Sequence, residues 1–165
     1  ICGQGTCGIE ITNQLPKADA VFIAVGGGGL ISGVSLYLKS FNSDIKIISC
    51  QPEASALMTE SVNAGKILHL PSKKTLSDGT AGGIESEAIT FQLCSDLVDS
   101  YVVVSEEDIG QAMRSFIDSH HMLIEGAAGV AIAGCLVKKE EYLGKNIVVI
   151  ICGGNISRET LKQVI

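Results

Sequence analysis

Four stretches carry apolar residues on nearly consecutive positions: AVFIAV (20–25), IKIISC (45–50), SYVVVS (100–105) and NIVVIIC (146–152). Each is short and rich in Val and Ile, apolar on both faces, the pattern of central strands in a covered parallel sheet. Between them the period lengthens. Residues 105–120 place Ile109, Ala112, Met113, Phe116 and Ile117 on one helical stripe. Ser105 can cap that helix, with Glu106, Glu107 and Asp108 in a first turn whose dipole favours carboxylates. Residues 30–39, 52–64 and 125–137 also read as helices. In the second, Pro52 near the start and Gly65 at the end follow the usual asymmetry. The third, EGAAGVAIAGCLV, is made of small residues suited to close packing. Helices near 6–15 and from 155 onward complete an alternation of strand and helix. The expected class is α/β, three layers (α/β/α) around a mainly parallel sheet. The longest irregular stretch is 65–85.

Composition narrows the function classes. The chain has 165 residues, 46% apolar and 18% charged, enough for one domain with a real core and outside the range of disorder. No run is apolar enough to cross a membrane, and the first residues show no basic-then-apolar leader. The net charge is −6 and the lysines and arginines are scattered, so neither nucleic acid nor membrane is an expected partner. Cysteines at 2, 7, 50, 94, 135 and 152 form no CxxC pair and no zinc-spaced Cys/His set. Reduced thiols and a cytoplasmic location are expected. Residue 1 is Ile, and ICGQGT opens as though midway through a sequence; a fragment or a processed chain is expected.

Three glycine clusters carry the candidate chemistry. AVGGGGLISG (24–33) sets Gly26, Gly27, Gly28 and Gly29 between a strand and a helix. At such a junction free N–H groups and the positive helix end face outward, and a backbone without Cβ lets an anion approach. One or two glycines suffice for a strand-to-helix turn, so four point to a phosphate. No Gly-Lys-Ser/Thr follows, which removes a Walker loop. Ser32 takes the third glycine place of a dinucleotide fingerprint, and Gln51 stands where a ribose-binding carboxylate is sought, with Glu53 just beyond. The second cluster, DGTAGG (78–83), lies in the long loop, where Asp78 organises the turn. The third, CGGN (152–155), follows the last strand. Ligands of open parallel sheets bind beyond the carboxyl ends of the strands, so the clusters together suggest one site lined by bare backbone.

GQGT (3–6), VGGGGLISG (25–33), LSDGTAGG (76–83), LIEGAAGVAIAG (123–134) and CGGNIS (152–157), in this order, resemble the pyridoxal-phosphate-dependent serine/threonine dehydratases of fold-type II, which include serine racemase. The likeness covers nearly the whole chain. It implies that residues 1–165 are the C-terminal part of the large cofactor-binding domain, with the N-terminal part and the small domain outside this chain. It implies pyridoxal 5'-phosphate as cofactor, its phosphate on Gly26, Gly27, Gly28 and Gly29. Gly79 and Gly153 then belong to the cofactor site, Glu125 lies near the cofactor, and Cys152 faces the pyridine nitrogen. The bland alternatives are a carboxylate at a helix N-terminus for Glu125 and a small buried thiol at a strand end for Cys152. A neutral thiol cannot hold the ring nitrogen protonated as a carboxylate would, which suits loss of a β-hydroxyl group. Some liver-type serine dehydratases have cysteine at this place, and the related racemases have serine.

The implied reaction takes L-threonine or L-serine to 2-oxobutanoate or pyruvate plus ammonia, in a homodimer or tetramer. A serine racemase or a hydroxyaspartate dehydratase is a close variant, and a non-catalytic phosphate-binding module is the remaining alternative. The Schiff-base lysine of the family lies well upstream of GQGT. Lys66, Lys73, Lys74, Lys138, Lys139 and Lys145 read as surface charge, so this chain alone is expected to be inactive. Some members hold a divalent cation just after the second strand. Gln51, Ser55 and Leu57 occupy those places here, with Glu53 the one carboxylate nearby, so no metal is expected. His120 and His121 end an exposed helix and His69 lies in a loop; none reads as a catalyst.

Overall fold

A computed structural model describes residues 1–165. The elements are α1 (Gly5–Gln14), β1 (Ala20–Ala24), α2 (Gly29–Phe41), β2 (Lys46–Pro52), α3 (Leu57–Ala64), α4 (Ile89–Leu97), β3 (Ser100–Val104), α5 (Glu106–His120), α6 (Gly126–Val137), β4 (Ile147–Val149) and α7 (Arg158–Val164). The strands form one sheet in the order β3-β2-β1-β4, and every pairing is parallel.

The two-residue period of a strand divides the core into two halves. Ala20, Phe22 and Ala24 of β1 face one side with Ile48, Cys50, Val102 and Val104, packed with Met113 of α5, Ala128 of α6 and Val164 of α7. Val21, Ile23 and Val25 face the other side with Ile47, packed with Ile11, Val34, Leu38 and Met58 of α1, α2 and α3. The three layers expected from the alternation are therefore present. β1 is buried along its whole length. Within this chain β3 and β4 each pair on one side only and are partly buried. An unbroken apolar run marks burial of both faces, but it does not count partners.

Helix α6 lies closest to the sheet, and its small residues explain how. A Cβ on Gly134 would overlap the Cys50 thiol, one on Gly129 would enter the Met113 side chain, and one on Gly126 would collide with the Leu76 carbonyl. Helix α5 begins with a complete capping box. Ser105 Oγ accepts the Asp108 N–H at 3.1 Å, and the Asp108 carboxylate accepts from the Ser105 N–H at 3.3 Å. It ends at His121 in the left-handed region, φ 55°. His120 stacks on Phe116 at 4.3 Å, and both histidines are exposed.

Four local expectations are corrected. Pro52 does not open a helix: it is the last residue of β2, opposite Val104, and α3 starts at Leu57. A residue without N–H can close a ladder as readily as it can begin a helix. Gly65 does end α3, with φ 66°. Helix α4 was not anticipated. Strand β4 stops at Val149 because its partner pairing ends at Phe22. The last helix starts at Arg158, capped by Ser157, which accepts the Thr160 N–H at 3.0 Å.

Candidate cofactor site

The turn from β1 into α2 continues the sheet for one residue, the Val25 N–H donating to Cys50 O at 3.0 Å. Four glycines follow, under different constraints. Gly28 has φ 83°, and a Cβ there would sit 2.9 Å from the Met58 methyl; backbone and packing both demand glycine. At Gly26 a Cβ would lie 3.1 Å from Thr80 O, a tight fit. Gly27 and Gly29 have neither reason. Their φ is not left-handed, and no atom lies within 4 Å of where a Cβ would be.

Those two bare positions open onto a cleft of about 250 Å³ at the carboxyl end of β1, with Cys152 from beyond β4 in its wall. Its walls bring together Gly26, Gly27, Gly28, Gly29, Gly79, Glu125 and Cys152 from the three glycine clusters and α6. Thr80 and Ala127 line it too, and neither was singled out from the sequence, because both contribute backbone or a methyl group. Two helices begin at the cleft, α2 after Gly28 and α6 after Glu125, and no side chain caps either one. Their first-turn amides leave a positive end in the wall.

Glu125 joins the second and third clusters. It is the N-cap residue of α6 rather than its first turn. Its carboxylate accepts the Asn155 N–H at 3.2 Å, and its own N–H donates to Gly153 O at 3.1 Å. The carboxylate occupies the space a Cβ on Gly153 would need and stands 3.5 Å from where one on Gly79 would be. Gly153 is thus a packing glycine beneath Glu125. Asp78 Oδ1 accepts the Gly79 N–H at 2.9 Å and so shapes the turn facing it.

Cys152 is exposed and lies three residues past the end of β4, so it is not the buried strand-end thiol. Partial burial in the cleft wall, and after it the negative charge of Glu125, push its thiol above the ordinary value. It therefore stays protonated and neutral at neutral pH. Lys66, Lys73, Lys74, Lys139 and Lys145 are exposed, Lys138 pairs with Glu141 at 2.6 Å, and none lines the cleft. His69, His120 and His121 lie elsewhere.

The residues fit the phosphate of pyridoxal phosphate: a cradle that a Cβ would fill, two uncapped helix ends and a neutral thiol in the same wall. They do not fit a divalent cation after β2. Leu57 is buried and apolar, the Gln51 amide is wholly used in hydrogen bonds, and no three His, Cys, Asp or Glu side chains converge.

Residues 1–153 match the family described as pyridoxal-phosphate dependent enzyme. The L-threonine ammonia-lyase of Thermotoga maritima is 39% identical over 165 residues, covering 100% of this chain and 41% of that protein. The processed form of threonine deaminase isoform 2 from Solanum lycopersicum has TM-score 0.92 and 39% identity, over 98% of this chain and 48% of that one. Maize serine racemase has TM-score 0.88 and 33% identity, over 98% and 51%. The chain spans about half of each solved chain and less of the Thermotoga protein. By the extent of this match, and by a parallel sheet whose glycine clusters meet at one cleft, the chain belongs to the pyridoxal-phosphate dependent enzyme family.

Proposed function

We propose that this chain supplies the phosphate cradle and one wall of the ring pocket in an ammonia-lyase acting on L-threonine or L-serine. The products are 2-oxobutanoate or pyruvate and ammonia. The observation that carries the reading is the pair Gly27 and Gly29, which neither backbone geometry nor packing requires to be glycine. A phosphate seated in the cleft accounts for them.

When bound, pyridoxal phosphate supplies an electron sink for bonds at the amino-acid Cα. The residues of this chain bind and orient it. The amides of Gly26, Gly27, Gly28 and Gly29, with the positive end of α2, meet the phosphate charge. Glu125 ties down Gly153 to Asn155 and so holds Cys152 in the wall. Cys152, a neutral thiol in the same wall, would meet the ring nitrogen and could not hold a proton on it as a carboxylate would. A neutral partner there would suit loss of a β-hydroxyl group. A hydroxyaspartate ammonia-lyase expels the same group and the related racemases carry an equally neutral serine, so both stand as variants of the same site.

In this reading residues 1–165 form the C-terminal part of the large domain. The lysine that bonds the cofactor is not among those of this chain, which alone would be inactive. The assembled enzyme is a homodimer or tetramer. A cytoplasmic location agrees with six free thiols. No helix is long and apolar enough to cross a membrane.

The test is Gly27→Asp in the intact protein. A side chain and a like charge in the cradle should abolish retention of the cofactor, read as loss of its absorbance after gel filtration. Unchanged absorbance sinks the proposal.

A further inference from the structure

The tetraglycine loop hangs from the carbonyl of Val25, the last residue before Gly26. That oxygen accepts a hydrogen bond from Gln51 Nε2 at 3.0 Å. The same nitrogen lies 3.5 Å from the carbonyl of Ser55. At the other end of the amide, Oε1 accepts from the Thr59 N–H and the Thr59 hydroxyl, each at 2.8 Å. A main-chain N–H can only donate, so the amide cannot be turned around. Gln51 is 1% exposed. Thr59 stands in the first turn of α3, whose N-cap, Ala56, has no side chain to offer. Oε1 of Gln51 therefore satisfies an α3 amide from the end of β2.

Two carbonyl oxygens around one buried atom are tolerated only if that atom carries protons or positive charge. The amide nitrogen brings its own two protons, one for each carbonyl. A carboxylate oxygen in its place would face Val25 O and Ser55 O with nothing between them. That set of oxygens would call for a hard divalent cation.

We propose that Gln51 is the positioning residue of the tetraglycine loop. Its neutral amide bolts α3 to the root of the loop, which makes the loop independent of divalent cations, whereas a carboxylate at this one position would make it dependent on them. The clamp stands on its own hydrogen bonds; its effect on ligand binding rests on the phosphate reading above.

The experiment compares the intact protein with Gln51→Glu and Gln51→Met. Thermal unfolding and binding of inorganic phosphate are each measured in EDTA and in millimolar Mg²⁺ or Ca²⁺. The wild-type midpoint should not respond to chelator or cation. In chelator Q51E should unfold roughly 5 °C lower or more and bind phosphate about tenfold more weakly, and a divalent cation should restore most of both. Q51M should lose a comparable amount, and no cation should restore it. A wild-type midpoint that falls in EDTA overturns the proposal. So does a Q51E protein equal to wild type in chelator, or one whose deficit neither cation relieves. If Q51E cannot be recovered folded, Q51M decides, because phosphate binding at wild-type strength there removes the clamp. Wild-type protein that binds no phosphate, while the Q51E midpoint answers to cations, refutes the cradle and leaves the clamp standing.

Discussion

Helix α6 and the turn that opens α2 are both built on glycine, yet their glycines meet different surroundings. On α6, Gly126, Gly129 and Gly134 each press against a neighbour: the Leu76 carbonyl, the Met113 side chain and the Cys50 thiol. The absence of a Cβ there is used up by the fold. In the turn, Gly28 is likewise consumed, but Gly27 and Gly29 face open space. Counting glycines does not separate a packing surface from a ligand cradle. The test is what a methyl group would touch, and whether the backbone could carry one. Gly153 stands between the two cases, since its neighbour is the end of the flexible Glu125 side chain.

The largest effect should come from the packed region. Gly126→Ala drives a methyl into the main chain of Leu76 and Ser77, which cannot swing aside, and should cost about 3 kcal/mol or more in urea unfolding. Gly129→Ala meets Met113, whose thioether chain can re-rotamerise, and should cost about 1–2 kcal/mol. If the two substitutions are equally mild, α6 is not the tightly seated helix described above.

A smaller effect should appear at the intermediate case. If Glu125 rests on Gly153, its charge reaches Cys152 and helps hold the thiol protonated. Because the thiol titrates above its ordinary value, alkylation at pH 8 should be slow and should speed up only as pH climbs toward that raised value. Glu125→Gln removes the second cause and leaves the first, burial, so labelling of Cys152 by iodoacetamide should quicken a fewfold at pH 8. An unchanged rate would place Glu125 away from the thiol.

The fold was legible where a single physical cause acted. β1 is buried on both faces and reads as an unbroken apolar run; β2 is buried from Ile47 onward and reads as a mostly apolar one, with Ser49 and Gln51 its polar exceptions. Helix α5 shows its stripe and its Ser105 cap because one face is wet. Helix α4 was hidden: it is short, begins with the β-branched Ile89 and Thr90, and buries only Cys94. Tertiary contact with α2 and α3 holds it, and no local pattern records that. At the site, the tetraglycine announced itself because glycine is expensive to order. Glu125 and Gln51 did not reveal their roles, since each acts on backbone groups far away in sequence. Gln51 reaches Val25 across 26 residues and Glu125 reaches Asn155 across 30. Spacing in the chain carries no trace of such bonds.

The central claim is that Gly27 is glycine for the sake of a guest. The direct measurement is Gly27→Ala in the intact protein, with urea unfolding and pyridoxal-phosphate binding read on the same preparation. With compatible backbone and free space, alanine should leave stability unchanged or raise it by up to about 1 kcal/mol, while cofactor binding weakens about tenfold or more. A substitution that destabilises the fold, or one that leaves cofactor binding untouched, contradicts the account.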